Sequence, residues 1–113
     1  MSIHLINELF NSPTLTSEDI ENTRYHAESG NEEAQYHLGL IYDTGSGVER
    51  SPKDAEKWYK RAANQGNVDA TYYLSLLYSS QNSGIRRDEK EAHRLLLAAA
   101  EQGHPEALKK VAN

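Results

Sequence analysis

The chain has 113 residues, with 12 lysines and arginines, 17 aspartates and glutamates, a net charge of −5 and no cysteine. This length is typical of a single domain with a modest core. Because cysteine is absent, the sequence excludes disulfides and thiolate metal sites. The acidic balance argues against a nucleic-acid partner, since binding to phosphates depends on lysine and arginine.

The amino-terminal residues show no basic segment followed by a long apolar run, which excludes a typical secretory signal. No stretch of the sequence approaches the ~20 consecutive apolar residues that a membrane helix needs. We therefore expect a cytoplasmic protein without a membrane partner.

The first predicted elements are two helices, at residues 2–10 and 17–29. The first is short and amphipathic, with apolar residues at helical spacing: Ile3, Ile6, Leu9 and Phe10. The second begins after Thr16, with Asp19 at the spacing of an N-terminal cap. Residues 1–29 are therefore predicted to cap the repeats that follow.

The sequence then repeats itself. Three similar motifs lie 36 and 37 residues apart, namely Gly30-Asn31-Glu32-Glu33-Ala34, Gly66-Asn67-Val68-Asp69-Ala70 and Gly103-His104-Pro105-Glu106-Ala107. Such a period is typical of a solenoid, in which helix pairs stack to bury a shared core. Within a single domain, 1–113, the predicted units are repeat 1 at 30–65, repeat 2 at 66–102 and a C-terminal capping helix at 103–113.

Each repeat has the pattern of two helices. In repeat 1, Leu38 and Tyr42 lie at helical spacing before a glycine-rich turn, and Ser51-Pro52 then begins the second helix. The remaining predicted helices are 32–43, 52–65, 68–80, 88–102 and 104–112. The predicted fold class is all-α, a short α/α solenoid of about seven helices, with Trp58 in its core.

The residues of repeat 1 also resemble a known family. The matching positions are Ala34, Leu38-Gly39, Tyr42, Gly45, Gly47-Val48, Asp54-Ala55, Trp58-Tyr59, Ala62-Ala63 and Gly66. They resemble the Sel-one-like repeat (SLR), a relative of the tetratricopeptide repeat, and the resemblance covers roughly residues 30–112. Repeat 2 departs from the pattern, because Ser75 replaces the helix glycine and Leu95-Leu96 replaces the aromatic pair.

The resemblance implies an interaction module, common in bacteria, without catalytic residues or a cofactor. We therefore predict a non-enzymatic adaptor or inhibitor that binds another protein. The most specific hypothesis also comes from a resemblance, because small acidic SLR-type proteins resemble the immunity proteins that bind and neutralise bacterial toxins. Residues 1–50 carry nine acids and two bases, which would suit a toxin with a basic surface. Two alternatives are a unit or fragment of a larger scaffold, and an enzyme with an unrecognised site.

The search for catalytic motifs supports the non-enzymatic prediction. The five histidines are not spaced three or four apart on one predicted helix, as a metal site on a helix requires. The sequence contains no nucleophile elbow, phosphate-binding loop or dinucleotide fingerprint. The glycines between the helices of repeat 1 are explained by tight turns.

The predicted partner site lies on the first helix of each pair, because these helices line one surface of a stacked solenoid. The predicted protein-binding residues are Glu33, Tyr36, Leu40, Asp43, Asp69, Tyr72, Leu76, Ser79 and Lys109. The two tyrosines and two leucines would form an apolar stripe bordered by acids, and tyrosine is enriched at the centre of interfaces. The alternative is that these four apolar side chains pack in the core.

Overall fold

The computed structural model describes residues 15–113. Its helices are α1 (Ser17–Glu28), α2 (Glu32–Thr44), α3 (Pro52–Asn64), α4 (Val68–Ser79), α5 (Glu89–Glu101) and α6 (Pro105–Ala112). Each matches a predicted helix to within one residue at both ends, and no strand occurs in this part of the chain. The predicted all-α fold is confirmed. The helix predicted at 2–10 lies outside the described residues.

Consecutive helices pack against each other in chain order, and α2 also touches α4. The pairs α2–α3 and α4–α5 form two stacked hairpins, with α1 on one side and α6 on the other. The result is elongated, measuring 49 × 29 × 26 Å. This is the arrangement of a short solenoid, in which each helix pair is covered by its neighbours.

The N-terminal caps of the helices form as the sequence predicts. The Thr16 hydroxyl accepts a hydrogen bond from the Asp19 backbone N–H at 3.0 Å, and the Asp19 carboxylate accepts one from the Thr16 N–H at 3.1 Å. At α3, the Ser51 hydroxyl accepts from the Asp54 N–H at 3.3 Å, with Pro52 as the first helical residue. These caps satisfy backbone donors that a helix start leaves without a partner inside the helix.

The repeat motifs share one backbone geometry at the turn between units. The φ angles are +102° at Gly30, +96° at Gly66 and +88° at Gly103. Glycine adopts this region without the steric cost that a Cβ would bring. The residue after each glycine caps the next helix, since its side chain accepts from a backbone N–H three residues later. One helix therefore ends and the next begins within a few residues, which sets the period.

The buried side chains form three clusters along the stack. The cluster of α1, α2 and α3 contains Ile20, Ala27, Ala34, Leu38, Ile41 and Trp58. The central cluster contains Ala55, Tyr59, Ala62, Ala70, Leu74, Leu77, Tyr78, Ala92 and Leu95. The third contains Tyr72, Ala99, Ala100 and Ala107. Trp58 is 3% exposed, which confirms its predicted place in the core.

Candidate protein-binding surface

Three tyrosine rings meet where repeat 1 joins repeat 2. The ring centroids are 6.4 Å apart for Tyr36 and Tyr59, 5.9 Å for Tyr36 and Tyr73, and 6.1 Å for Tyr59 and Tyr73. These distances lie within the range of favourable aromatic pairs. Tyr59 is fully buried, whereas Tyr36 and Tyr73 are half-buried. The cluster therefore presents two partly exposed rings on a packed base.

The ring of Tyr59, which is the buried base of this cluster, is held in place by a side-chain hydrogen bond. The Tyr59 hydroxyl donates to Asp43 Oδ2 at 2.9 Å. Burial, followed by the charge of the Asp43 carboxylate, raises the pKa of Tyr59. The phenol therefore stays neutral and remains a donor, which fixes the orientation of the ring beneath Tyr36 and Tyr73.

Leu40 and Leu76 extend the half-buried apolar area along α2 and α4. Leu40 packs against the central cluster, and Leu76 packs against the third cluster. Together with Tyr36 and Tyr73 they form what we call the tyrosine–leucine surface. Three of its four members are predicted site residues, and the fourth, Tyr73, is not.

Tyr72 is buried, whereas the predicted apolar stripe requires an exposed side chain at this position. It is 6% exposed, and its ring stacks on the His104 ring with centroids 4.3 Å apart. It also packs with Ala107 at the start of α6. The exposed position expected for Tyr72 is therefore taken by its neighbour Tyr73, because adjacent residues on a helix point about 100° apart. Tyr72 is therefore a core residue, which is the alternative given for it in the sequence analysis.

The three predicted acids differ in what they contact. Asp69 Oδ1 lies 3.1 Å from His104 Nε2, while His104 Nδ1 accepts the Ala107 N–H at 3.2 Å. Asp43 accepts from Tyr59, and its Oδ1 lies 3.5 Å from an Arg50 nitrogen. Glu33 is exposed, and its carboxylate makes no ion pair or side-chain hydrogen bond within residues 15–113. Of the three predicted acids, Glu33 is thus the one that is exposed without a structural contact in this part of the chain.

The hydroxyl of Tyr36 is a neutral donor at the surface. Burial, together with the nearby Tyr73 and the Asp69 carboxylate, raises the pKa of Tyr36 to about 12. The phenol therefore keeps its proton over the whole physiological range. It provides a hydrogen-bond donor and an aromatic face at the same point of the surface.

Arg50 is a residue of this region that the sequence did not single out. Its Nε donates to the Asp43 carbonyl oxygen at 2.7 Å, and its Nη2 donates to the Ser83 carbonyl oxygen at 2.9 Å. It therefore joins the loop after α2 to the loop after α4. The available sequence signal was weak: Arg50 is one of two bases among the first 50 residues.

The other two predicted residues lie at the ends of their helices. Ser79 is exposed at the end of α4, and its hydroxyl donates to the Leu76 carbonyl oxygen at 3.2 Å. Lys109 is exposed on α6 and pairs with Glu106 on the same helix at 3.7 Å. Ser79 therefore borders the tyrosine–leucine surface at Leu76, while Lys109 contacts its own helix.

Two properties of the described part of the chain bear on other kinds of site. Within residues 15–113, no group of three or more histidine, aspartate or glutamate side chains is placed to hold a metal ion. Over the same range, none of the helices has the length and apolar character needed to cross a membrane.

Comparison with known proteins identifies the repeat. The model of the Sel1 repeat matches residues 32–67 and 68–104, which is more than half of the chain. The chain belongs to the Sel1 repeat family. Members of this family generally mediate protein–protein interaction and are typically non-enzymatic. The resemblance seen in the sequence is thereby confirmed.

Other Sel1 repeat proteins share the fold. The crystal structure of a Sel1 repeat protein from Oxalobacter formigenes has a TM-score of 0.76 and 30% identity, covering 94% of this chain and 42% of that one. The structure of c5321, a protective antigen of uropathogenic Escherichia coli with an SLR fold, has a TM-score of 0.79 and 30% identity, with coverage of 92% and 22%.

The chain also has a sequence relative in Rattus norvegicus. DAP3-binding cell death enhancer 1 of Rattus norvegicus is 34% identical over 58 residues, which are 51% of this chain and 11% of that protein. The chain thus spans about a tenth of this relative and less than half of each of the two solved chains.

Proposed function

We propose that this protein binds another protein through the tyrosine–leucine surface. The observation that carries the proposal is the pair of half-buried rings, Tyr36 and Tyr73, packed on the buried ring of Tyr59. Side chains that are already ordered lose little conformational entropy on binding. Tyrosines of this kind are common energetic centres of protein interfaces.

The partner surface is basic. Glu33 lies on α2 and Asp69 lies on α4, and these two helices carry the tyrosine–leucine surface. Both side chains are exposed. Acidic residues at the border of an interface attract a basic partner over long range and raise its association rate. A toxin with a basic surface is one such partner, so the immunity hypothesis is the specific case in which binding inhibits the partner.

A second candidate function is that of a unit in a larger scaffold. It is favoured by the relatives, because the chain covers only 42% and 22% of the two solved Sel1 repeat chains. In a scaffold, the same surface would hold one of several proteins in place. Both candidates require a protein partner and differ in whether binding abolishes the activity of that partner.

Site-specific photo-crosslinking in the cell of origin tests the proposal. A benzophenone amino acid is placed at Glu33 or Ser80, which are exposed next to the tyrosine–leucine surface, or at Lys57 as the control. Lys57 is exposed on α3, the second helix of its pair. We expect one protein to be crosslinked from both test positions and not from Lys57. Equal crosslinking from all three positions, or none at either test position, would overturn the proposal.

A further inference from the structure

The two repeats differ at the position that Tyr59 occupies in repeat 1. Its ring lies against Gly39, where an added Cβ would be 2.5 Å from Cδ1. Its hydroxyl reaches Asp43, and its outer face stacks on Tyr73. In repeat 1, the ring thus fills the space between the first and second helices of the pair.

In repeat 2, the residues at the equivalent positions are smaller or chemically different. By the offsets of 36 and 37 residues, Tyr59 corresponds to Leu96, Gly39 to Ser75, Asp43 to Ser79 and Tyr73 to Lys110. All four of these side chains line a single groove of about 280 Å³. The space that a ring fills in repeat 1 is therefore an open groove in repeat 2, which we call the second-repeat groove.

The lining of this groove suits a neutral side chain with an apolar body and a polar tip. Its apolar wall is formed by Leu76, Ala92 and Leu96. By the repeat offset, Ser79 is the residue equivalent to Asp43, whose carboxylate accepts the phenol of Tyr59 in repeat 1, and the Ser79 hydroxyl oxygen can also accept a hydrogen bond. The groove is also lined by His93 and by two charged side chains of opposite sign, Glu89 and Lys110.

The geometry points to a binding site for one aromatic side chain, a tyrosine, that the partner inserts into the second-repeat groove. The partner would thereby supply the ring that repeat 1 carries itself as Tyr59. This inference rests on the proposed function, because it names a residue type in the partner of the neighbouring surface. Leu76 belongs both to the tyrosine–leucine surface and to the groove, so one partner can contact both.

Chemical-shift titration with p-cresol, the side-chain analogue of tyrosine, tests the inference on the full chain labelled with ¹⁵N. We expect saturable shifts of the backbone amides of Ser75, Ser79 and Leu96. A filled variant, Ser75→Gly/Ser79→Asp/Leu96→Tyr, rebuilds repeat 2 on the pattern of repeat 1. It should weaken p-cresol binding by about tenfold or more, because its own ring occupies the groove.

A second variant provides an independent test in case the filled variant does not fold. Ser79→Arg changes an exposed residue at the mouth of the groove and should also weaken p-cresol binding, while Tyr25→Ala on α1 should leave it unchanged. The absence of saturable shifts at these three amides in the parent would overturn the inference. So would p-cresol binding that Ser79→Arg and a folded filled variant leave unchanged.

The two proposals fail in different ways. If the crosslinked partner is lost on Tyr73→Ala but binds the parent and the filled variant equally, the groove inference is wrong and the proposed function stands. If p-cresol binds as expected but crosslinking shows no partner at the tyrosine–leucine surface, the proposed function is wrong and the groove still binds an aromatic side chain.

Discussion

The Cδ1 atom of Tyr59 lies 2.5 Å from the point at which a Cβ on Gly39 would stand. A glycine inside a helix normally costs stability relative to alanine, by about 1 kcal/mol. Here it makes room for a buried ring that cannot easily move, since the hydroxyl of Tyr59 is bonded to Asp43 and its face is packed against Tyr73. Gly39 and Tyr59 therefore depend on each other.

Gly39→Ala is expected to destabilise the protein by about 1–3 kcal/mol, because the overpacking of Tyr59 exceeds the gain in helix propensity. The measurement is the free energy of unfolding in urea, followed by circular dichroism. In a Tyr59→Leu background, which imitates Leu96 of repeat 2, the same substitution should be neutral or stabilising. An equal loss in both backgrounds would contradict the assigned contact.

The fold was predictable because its signals are local or periodic. The cap pairs Thr16 with Asp19 and Ser51 with Asp54 use residues three positions apart, and both form as the sequence predicts. The motif that begins at Gly30 recurs in each unit, with a similar positive φ at its glycine. Local hydrogen bonds and a fixed period thus determined the helices and their order.

The candidate site was predicted only in part. It depends on contacts between residues distant in the sequence, which the repeat pattern does not reveal. Tyr72 and Tyr73 are adjacent, and which of them faces the surface is decided by the stacking of His104 on Tyr72. The bond from Arg50 to Ser83 joins two loops in different repeats. Neither contact has a signal at short sequence spacing.

Truncation of the buried tryptophan should be the most costly single change in the first cluster. Trp58 is 3% exposed and packs against α1 and α2. Trp58→Ala should reduce the free energy of unfolding by about 3–5 kcal/mol. Lys57→Ala is the matched control, since it removes a cation 4.9 Å from the ring centroid and should cost about 1 kcal/mol or less. A parent-like urea midpoint for Trp58→Ala would show that the cluster is wrongly assigned.

Arg50→Ala should loosen the loop after α4 without unfolding the helices. Its Nη2 holds the Ser83 carbonyl oxygen, and the Ser83 hydroxyl accepts the Ile85 N–H at 3.2 Å. Hydrogen exchange at Ile85 should therefore become faster, while amides inside α3 keep their protection. Arg87→Ala is the control, because within residues 15–113 Arg87 pairs only with the exposed Glu89. Unchanged exchange at Ile85 would mean that the bond to Ser83 does not order the loop.

Stability at high pH should depend on Tyr36. Its pKa is raised from 10.0 to about 12, so the unfolded chain loses this proton first as the pH rises. The contribution of this pKa shift to the free energy of unfolding is fully present below pH 10 and is lost as the pH rises toward 12. The urea midpoint of Tyr36→Phe should therefore fall less steeply than that of the parent over this range. Tyr25→Phe, at a 68% exposed position, should follow the parent. Parallel curves for Tyr36→Phe and the parent would contradict the linkage.

Binding of the partner should separate into an apolar and an electrostatic component. Tyr73→Ala removes an ordered ring from the tyrosine–leucine surface, and loss of such an anchor typically costs about 2 kcal/mol or more. We expect faster dissociation with the fold intact. Glu33→Lys reverses a charge that makes no ion pair in the described residues, and should instead slow association.

These two effects are measured by surface plasmon resonance at several salt concentrations, with the crosslinked partner as analyte. Salt screens exposed charges over about 8 Å at physiological ionic strength, so Glu33→Lys should also flatten the salt dependence of the association rate. Tyr25→Ala, which removes an exposed tyrosine from α1, should match the parent in both rates. If Tyr73→Ala left the dissociation rate unchanged, the contact would lie outside the tyrosine–leucine surface. If association were indifferent to salt in the parent, the acids at its border would have no part in attracting the partner.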